Sequence, residues 1–124
     1  QLHGDESPDF CARFNLSVIK ALRIKNPLDL NEFDSFATRA ILFDTYSDTD
    51  YGGTGKSFDW KILKKLKTDK KIILSGGLNP DNVKQAVKIV RPYAVDVSSG
   101  VEKSPGIKDH KKIQRFIEAV KNAD

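Results

Sequence analysis

Two Ser-Gly turns follow apolar segments in the second half of the chain, and both could bind an anion. Ser75-Gly76-Gly77 follows a segment that ends at Leu74, and Ser98-Ser99-Gly100 follows one that ends at Val97. Small residues allow backbone N–H groups to approach a phosphate closely. Either stretch alone is most simply a tight turn. If both follow consecutive parallel strands they are neighbours in space, and together they favour phosphate binding.

Two carboxylates occupy comparable positions at the ends of apolar segments. Asp44 ends the segment Ala40–Asp44, AILFD, and it could donate a proton to a bound substrate or simply cap a turn. Asp96 alternates with Val95 and Val97, so it faces the opposite side of its strand from those valines. Its partner there is either a substrate hydroxyl or a structural hydrogen-bond donor.

Two further residues have chemically useful side chains. His3 ends a short apolar segment at the start of the chain, where a surface or structural role is the simpler interpretation and substrate contact is the alternative. Cys11 lies among apolar residues of a candidate helix over Glu6–Phe14, which favours core packing over catalysis.

The stretch GTGKS, Gly53–Ser57, resembles the second half of a nucleotide-binding P-loop. The complete motif requires a glycine five residues before Gly55, and Asp50 stands there instead. A carboxylate at that position would face phosphate oxygens. We therefore do not expect the chain to hydrolyse a nucleotide.

The composition is that of a single globular domain. The chain has 124 residues, a net charge of +4, 39% apolar residues and one cysteine. No internal disulfide is possible, which suits the cytoplasm, and no apolar run is long enough to cross a membrane. The lysine-rich stretch Lys61–Lys71 lacks interleaved aromatic residues, so we expect a solvated helix face and no nucleic-acid binding.

Apolar segments alternate with helical patterns, which predicts an α/β fold with a parallel sheet. No predicted strand is followed by a G-x-G-x-x-G motif, and polar residues collect after the strands, so a (β/α)8 barrel is favoured over a doubly wound sheet. Predicted strands are Ser17–Ile24, Ala40–Asp44, Lys71–Leu74 and Ala94–Val97; predicted helices are Glu6–Phe14, Leu28–Phe36, one capped by Ser57 or Asp59, one opened by Asn79-Pro80, and one from about Asp109.

Five motifs together resemble one enzyme family. QLHGDE, LFDT, YGGTGKSFDW, LSGGLNPDNV and VDVSSGVEKSPGIKD, in this order, are similar to phosphoribosylanthranilate isomerases of tryptophan biosynthesis. The resemblance extends over essentially the whole chain. It implies that the chain forms strands four to eight of a (β/α)8 TIM barrel, with the first three strands absent. It also implies an Amadori rearrangement that needs no metal or cofactor.

The resemblance also assigns roles to residues. Asp44 is implied as the general acid, Asp96 lies beside the sugar with His3 as a further substrate-binding candidate, and the stretch after Asp44 covers the substrate. The implied phosphate-binding residues are Ser75, Gly76, Gly77, Ser98, Ser99 and Gly100.

Two family features have no counterpart in this sequence. The family's general base is a Cys in a C-G pair, whereas Cys11 precedes Ala12, and the Arg that binds the anthranilate carboxylate follows the absent second strand. We therefore expect a fragment that is inactive alone and that pairs with the missing N-terminal barrel segment or with itself through open strand edges. The alternatives are another phosphate-binding barrel, such as indole-glycerol-phosphate synthase or a ribulose-phosphate epimerase, and a non-catalytic half-barrel.

Overall fold

A parallel sheet lies at the centre of the computed structural model, which describes residues 1–24, 30, 33–45, 59–64 and 66–123. The four strands are β1 (Ile19–Ile24), β2 (Ala40–Thr45), β3 (Lys71–Ser75) and β4 (Ala94–Val95). They lie side by side in chain order, and every pair is parallel. The backbone of Leu2 forms a further parallel bridge with Lys20, at the free side of β1. The predicted parallel α/β sheet is therefore confirmed.

Helices and one hairpin complete the described structure. The helices are α1 (Pro8–Cys11), α2 (Lys61–Lys64), α3 (Val83–Val90) and α4 (His110–Lys121), and 3-10 turns span Phe33–Ser35 and Ser99–Val101. Strands β5 (Glu102–Ser104) and β6 (Ile107–Lys108) form an antiparallel hairpin that the sequence patterns did not predict. None of these described helices is long and apolar enough to cross a membrane.

Local capping explains where two of the helices begin. Ser7 precedes Pro8 at the start of α1, and its hydroxyl accepts a hydrogen bond from the N–H of Phe10 at 3.2 Å. Asp109 does the same for α4, accepting from the N–H groups of Lys111 and Lys112. The predicted start of the last helix near Asp109 is confirmed.

Several predicted boundaries are wrong. The helix expected over Glu6–Phe14 is a single turn, Pro8–Cys11, and Ala12 forms its C-cap. Of the helix expected over Leu28–Phe36, residues 28, 29, 31 and 32 lie outside the described residues, and Phe33–Ser35 form a 3-10 turn. The fourth strand ends at Val95 and not at Val97.

The sequence predicted that Asn79 caps the helix at its start, but α3 begins at Val83 and Asn82 is its N-cap residue. Asn79 and Asn82 exchange hydrogen bonds, each side-chain oxygen accepting from the other's backbone N–H at 3.1 and 2.8 Å. This reciprocal pair resembles a capping box, and it closes the turn that directly precedes α3. The glycine-rich stretch 51–57 lies outside the described residues. It includes Ser57, which the sequence offered with Asp59 as a cap of α2.

The core lies between one face of the sheet and the helices. Ile41 and Phe43 are completely buried, as are Leu74 of β3 and Val83 of α3. The ring of Phe33 packs edge-on against Phe43, with centroids 6.0 Å apart. Because side chains alternate along a strand, Ile41 and Phe43 face the helices while Asp44 faces the other side. Cys11 belongs to this core, as the sequence predicted.

A buried ion pair connects β1 to the segment that precedes α1. Lys20 is only 2% exposed, and its Nζ donates to Glu6 Oε2 at 3.0 Å and to the carbonyls of Gly4 and Ala21 at 2.6 and 3.0 Å. The hydrogen bond from Lys20 lowers the pKa of Glu6 below its ordinary value of 4.5. The carboxylate therefore stabilises the folded chain above pH 4.5, and this contribution is lost as the pH falls through the lower folded value.

We expect Glu6→Gln to lower the free energy of unfolding at neutral pH, because the buried Lys20 ammonium loses its charged partner. The variant should also lose less stability than the parent between neutral pH and acid. Urea unfolding across a pH series measures both effects. Asp69→Asn, at an exposed carboxylate, is the control. Parallel stability curves for parent and Glu6→Gln would contradict this role.

Candidate functional site

Three polar side chains lie in one row at the carboxyl edge of the sheet. Asp44 of β2 is in register with Ser75 of β3, and the Ser75 hydroxyl donates to Asp96 Oδ2 at 2.9 Å. The N–H of Asp96 donates to the carbonyl of Leu74 at 2.8 Å, so sheet-like pairing continues past the end of β4. Both carboxylates that the sequence singled out are thus brought together, on the sheet face opposite the helix-packed core.

This row forms one wall of a cavity of about 230 Å³. The two Ser-Gly turns form most of its remaining lining, so the structure brings together Asp44, Asp96 and all six residues that the resemblance implies for phosphate. The lining residues are Asp44, Ser75, Gly76, Gly77, Leu78, Asp96, Val97, Ser98, Ser99 and Gly100.

Backbone geometry explains the glycines of this cavity. Gly76 and Gly77 have φ angles of 86° and 62°, in the left-handed region that residues with a Cβ rarely adopt. Gly100 is required for a different reason: a Cβ there would lie 1.8 Å from the carbonyl oxygen of Leu78. The second turn therefore packs its backbone directly on the first.

Backbone donors line this cavity without a partner in the described part of the chain. Hydrogen bonds among those residues do not use the N–H groups of Gly77, Ser99 or Gly100. Amide donors on closely packed, glycine-rich turns form the type of concave surface that binds phosphate oxygens.

Sequence reasoning missed a cation beside the second turn. Lys108 of β6 donates from Nζ to the carbonyl of Ser98 at 2.9 Å and to Glu102 Oε1 at 2.8 Å. This hydrogen bond from Lys108 lowers the pKa of Glu102 below its ordinary value. The hairpin positions Lys108, so its nearness to the turn could not be read from sequence spacing. In the sequence, the only indication of Lys108 was its place in the motif GIKD.

His3 and Cys11 do not join this cavity. Strand β1 separates the Leu2 segment from β2, and His3 lines a different cavity of about 410 Å³ with residues 4–8 and 20–23. His3 is exposed, and its Nε2 lies 2.5 Å from the side-chain amide of Gln1. Cys11 is 4% exposed within the core. In the described ranges, no three His, Cys, Asp or Glu side chains are grouped closely enough to bind a metal ion.

Comparison with known proteins identifies the family. The family model described as N-(5'-phosphoribosyl)anthranilate (PRA) isomerase matches residues 1–119. A curated protein of that name from Thermoanaerobacter pseudethanolicus is 52% identical over 122 residues, which cover 98% of this chain and 60% of the relative. The chain therefore spans about three fifths of the length of such relatives.

Solved structures agree with this match. The phosphoribosyl anthranilate isomerase of Thermotoga maritima superposes with a TM-score of 0.84 at 44% identity, over 96% of this chain and 59% of that one. A further isomerase structure, in complex with reduced 1-(o-carboxyphenylamino)-1-deoxyribulose 5-phosphate, has a TM-score of 0.76 at 38% identity, over 96% of this chain and 57% of that one.

We expect Gly100→Ala to destabilise the fold by roughly 3 kcal/mol, because the backbone of one turn must move away from Leu78. Gly106→Ala is the matched control. Gly106 has a φ of 77°, and no described atom lies within 4 Å of the point where its Cβ would be, so only conformational strain of about 1 kcal/mol applies. Chemical denaturation of the two variants measures the difference. Equal losses would show that the contact with Leu78 does not constrain the turns.

Proposed function

Because the chain belongs to the N-(5'-phosphoribosyl)anthranilate isomerase family, we propose that it supplies the phosphate site and the general acid of this isomerase. The reaction is the Amadori rearrangement of N-(5-phosphoribosyl)anthranilate to 1-(2-carboxyphenylamino)-1-deoxyribulose 5-phosphate. The observation that carries the proposal is the single cavity in which Asp44 and Asp96 adjoin both Ser-Gly turns.

The phosphate binds to the two turns in this proposal. The N–H groups of Gly77, Ser99 and Gly100 donate to its oxygens, and Lys108, which is paired with Glu102, donates to the carbonyl of Ser98 in the second turn. Backbone donors of this kind are held by the fold and need little rearrangement when the anion binds. The phosphate thereby fixes one end of the substrate against β3 and β4.

The sugar then lies along the row of polar side chains. Asp44 is next to Ser75 in register, one strand away from the phosphate turns. We assign to Asp44 the transfer of a proton to the ribose ring oxygen, which breaks the bond from that oxygen to C1 and leaves a Schiff base with the amine nitrogen. Asp96 accepts a hydrogen bond from the Ser75 hydroxyl, which holds it in place. In this proposal Asp96 also accepts a hydrogen bond from a sugar hydroxyl and so orients the sugar.

The second half of the reaction requires a base that removes the proton from C2. The resulting enolamine tautomerises to the ketone product. Cys11, the one cysteine of the sequence, is buried between the sheet and the helices and cannot reach this cavity. We propose that the base comes from a segment that forms barrel strands one to three, which would pair with this sheet to close a (β/α)8 barrel.

The chain of 124 residues alone should show no measurable isomerase activity, because in this proposal the base for C2 comes from the segment that forms strands one to three. Addition of a separate segment with the first three barrel strands should restore turnover. Steady-state rates on phosphoribosylanthranilate, with and without that segment, measure the effect. Full activity of the chain alone would contradict the assignment of acid and base.

In the reconstituted enzyme, we expect Asp44→Asn to lower kcat by about 10²- to 10⁴-fold, since an amide keeps the shape but cannot donate an acidic proton. Asp96→Asn should have a smaller effect if that residue only orients the sugar. Ser99→Ala should be mild, because the backbone and not the hydroxyl binds phosphate. An Asp44→Asn enzyme as fast as its parent would remove Asp44 from the mechanism.

A further inference from the structure

Lys108 approaches the second Ser-Gly turn from the side that does not face the cavity. Its Nζ donates to the carbonyl of Ser98 at 2.9 Å and to Glu102 Oε1 at 2.8 Å. The hydroxyl of Ser98 lies 3.5 Å from the same nitrogen, at the limit of hydrogen bonding. Among the described residues, those that line the cavity include Ser98 but not Lys108. The ammonium therefore binds the outer side of the turn.

The bond from Lys108 constrains the peptide group that joins Ser98 to Ser99. In a trans peptide the carbonyl oxygen and the N–H point in opposite directions within one plane, and none of the described peptide bonds is cis. Because Lys108 binds the carbonyl oxygen on the outer side, the N–H of Ser99 points inward, toward the cavity. If this peptide group rotated by half a turn, the carbonyl oxygen would face a bound phosphate and repel its oxygens.

Few backbone interactions fix the orientation of this peptide group. Ser98 has a φ of −118° and a ψ of −87°, which belong to neither a helix nor a strand, so no repeating hydrogen-bond pattern passes through it. The N–H of Val101 also donates to the Ser98 carbonyl, but at 3.4 Å, which is longer than a usual hydrogen bond. The bond from Lys108 is shorter and its donor is charged, so it is the stronger of the two.

The hairpin of β5 and β6 holds Lys108 in place. Glu102 is in register with Lys108 across the hairpin, and its second carboxylate oxygen accepts from the N–H of Gly106 at 3.3 Å. The N–H of Asp109 donates to the carbonyl of Val101 at 2.8 Å, which connects the end of β6 to the second turn. The carboxylate of Glu102 offsets the charge of Lys108. The ammonium therefore acts on the turn mainly as a hydrogen-bond donor.

We propose that Lys108 is a positioning residue of the phosphate site: it holds the peptide group between Ser98 and Ser99 so that the N–H of Ser99 faces the bound anion, and it does not contact the anion itself. This inference rests on the proposed function, in which that N–H donates to phosphate. A donor that already points at the anion raises the affinity, because the backbone does not have to rotate on binding. Two simpler roles must be separated from this one: a direct ion pair with phosphate, and a general contribution of positive charge.

The first measurement is the orientation of N–H bonds in the phosphate-free chain of 124 residues, from residual dipolar couplings. In the parent, we expect the coupling of Ser99 to fit the structure as well as that of Gly77. Lys108→Met should bring the Ser99 coupling toward zero, because the peptide group then samples both orientations, and should leave Gly77 unchanged. Lys108→Arg should keep the parental coupling, since a guanidinium also donates to a carbonyl. Lys103→Met is the matched control, because it removes the same charge from an exposed residue of the same hairpin.

The second measurement is the affinity of each variant for inorganic phosphate, from the amide shifts of Gly77 and Gly100. Lys108→Met should weaken binding about tenfold, the effect of one hydrogen bond that involves a charged group. Lys103→Met should bind phosphate as the parent does. In the parent, the resonance of Lys108 Nζ should move little as phosphate is added, because the ammonium stays on Ser98 and Glu102.

Loss of the Ser99 coupling together with weaker phosphate binding in Lys108→Met supports the inference. Weaker binding with an intact Ser99 coupling, or an equal loss of affinity in Lys103→Met, would overturn it in favour of a charge effect. Unchanged affinity in Lys108→Met would also overturn it, whatever the Ser99 coupling.

If Lys108→Met does not fold, the parent chain decides the question. A Lys108 Nζ resonance that shifts with phosphate as strongly as the amides would overturn the inference, because the ammonium would then contact the anion. An Nζ resonance that stays in place, with parental affinity in Lys108→Arg, supports it. Absence of saturable phosphate binding by the parent would overturn the proposed function itself, and the role of Lys108 with it.

Discussion

Register between parallel strands determines where every polar group of the candidate site lies. The pairing of Asp44 with Ser75 follows from the alignment that buries Ile41, Phe43 and Leu74 on the other face. A shift of one residue in any strand would turn its apolar side chains away from the helices. The burial of the core thus enforces the alignment of the site, although the two lie on opposite faces of the sheet.

Contacts between the turns depend on the same alignment. Because β3 and β4 are neighbours, the backbone of Gly100 can lie directly on the carbonyl of Leu78, and the Ser75 hydroxyl can reach Asp96. These contacts connect the two turns into one surface whose amide groups line a shared cavity. Neither turn could present such a surface alone, which is the reason that one Ser-Gly turn is weak evidence and two are stronger.

Sequence patterns predicted the parts of the fold that depend on local chemistry. Continuous apolar segments predicted the parallel strands, and turn residues placed Asp44, the Ser-Gly turns and Asp96 at one edge. Boundaries were less accurate where a turn precedes the helix, as the turn closed by the reciprocal bonds of Asn79 and Asn82 precedes α3. Contacts between distant segments could not be predicted: only the folded chain shows that Glu6 and the Gly4 carbonyl surround Lys20, and that a hairpin brings Lys108 to Ser98.

We propose that the two Ser-Gly turns form a single phosphate site. The most direct measurement is a titration of the isotopically labelled chain with inorganic phosphate, followed by amide NMR shifts. We predict saturable shifts with one common dissociation constant at Gly77, Ser99 and Gly100, and little change at Gly106 on the hairpin. Shifts that occur elsewhere, or that give different constants for the two turns, would contradict a shared site.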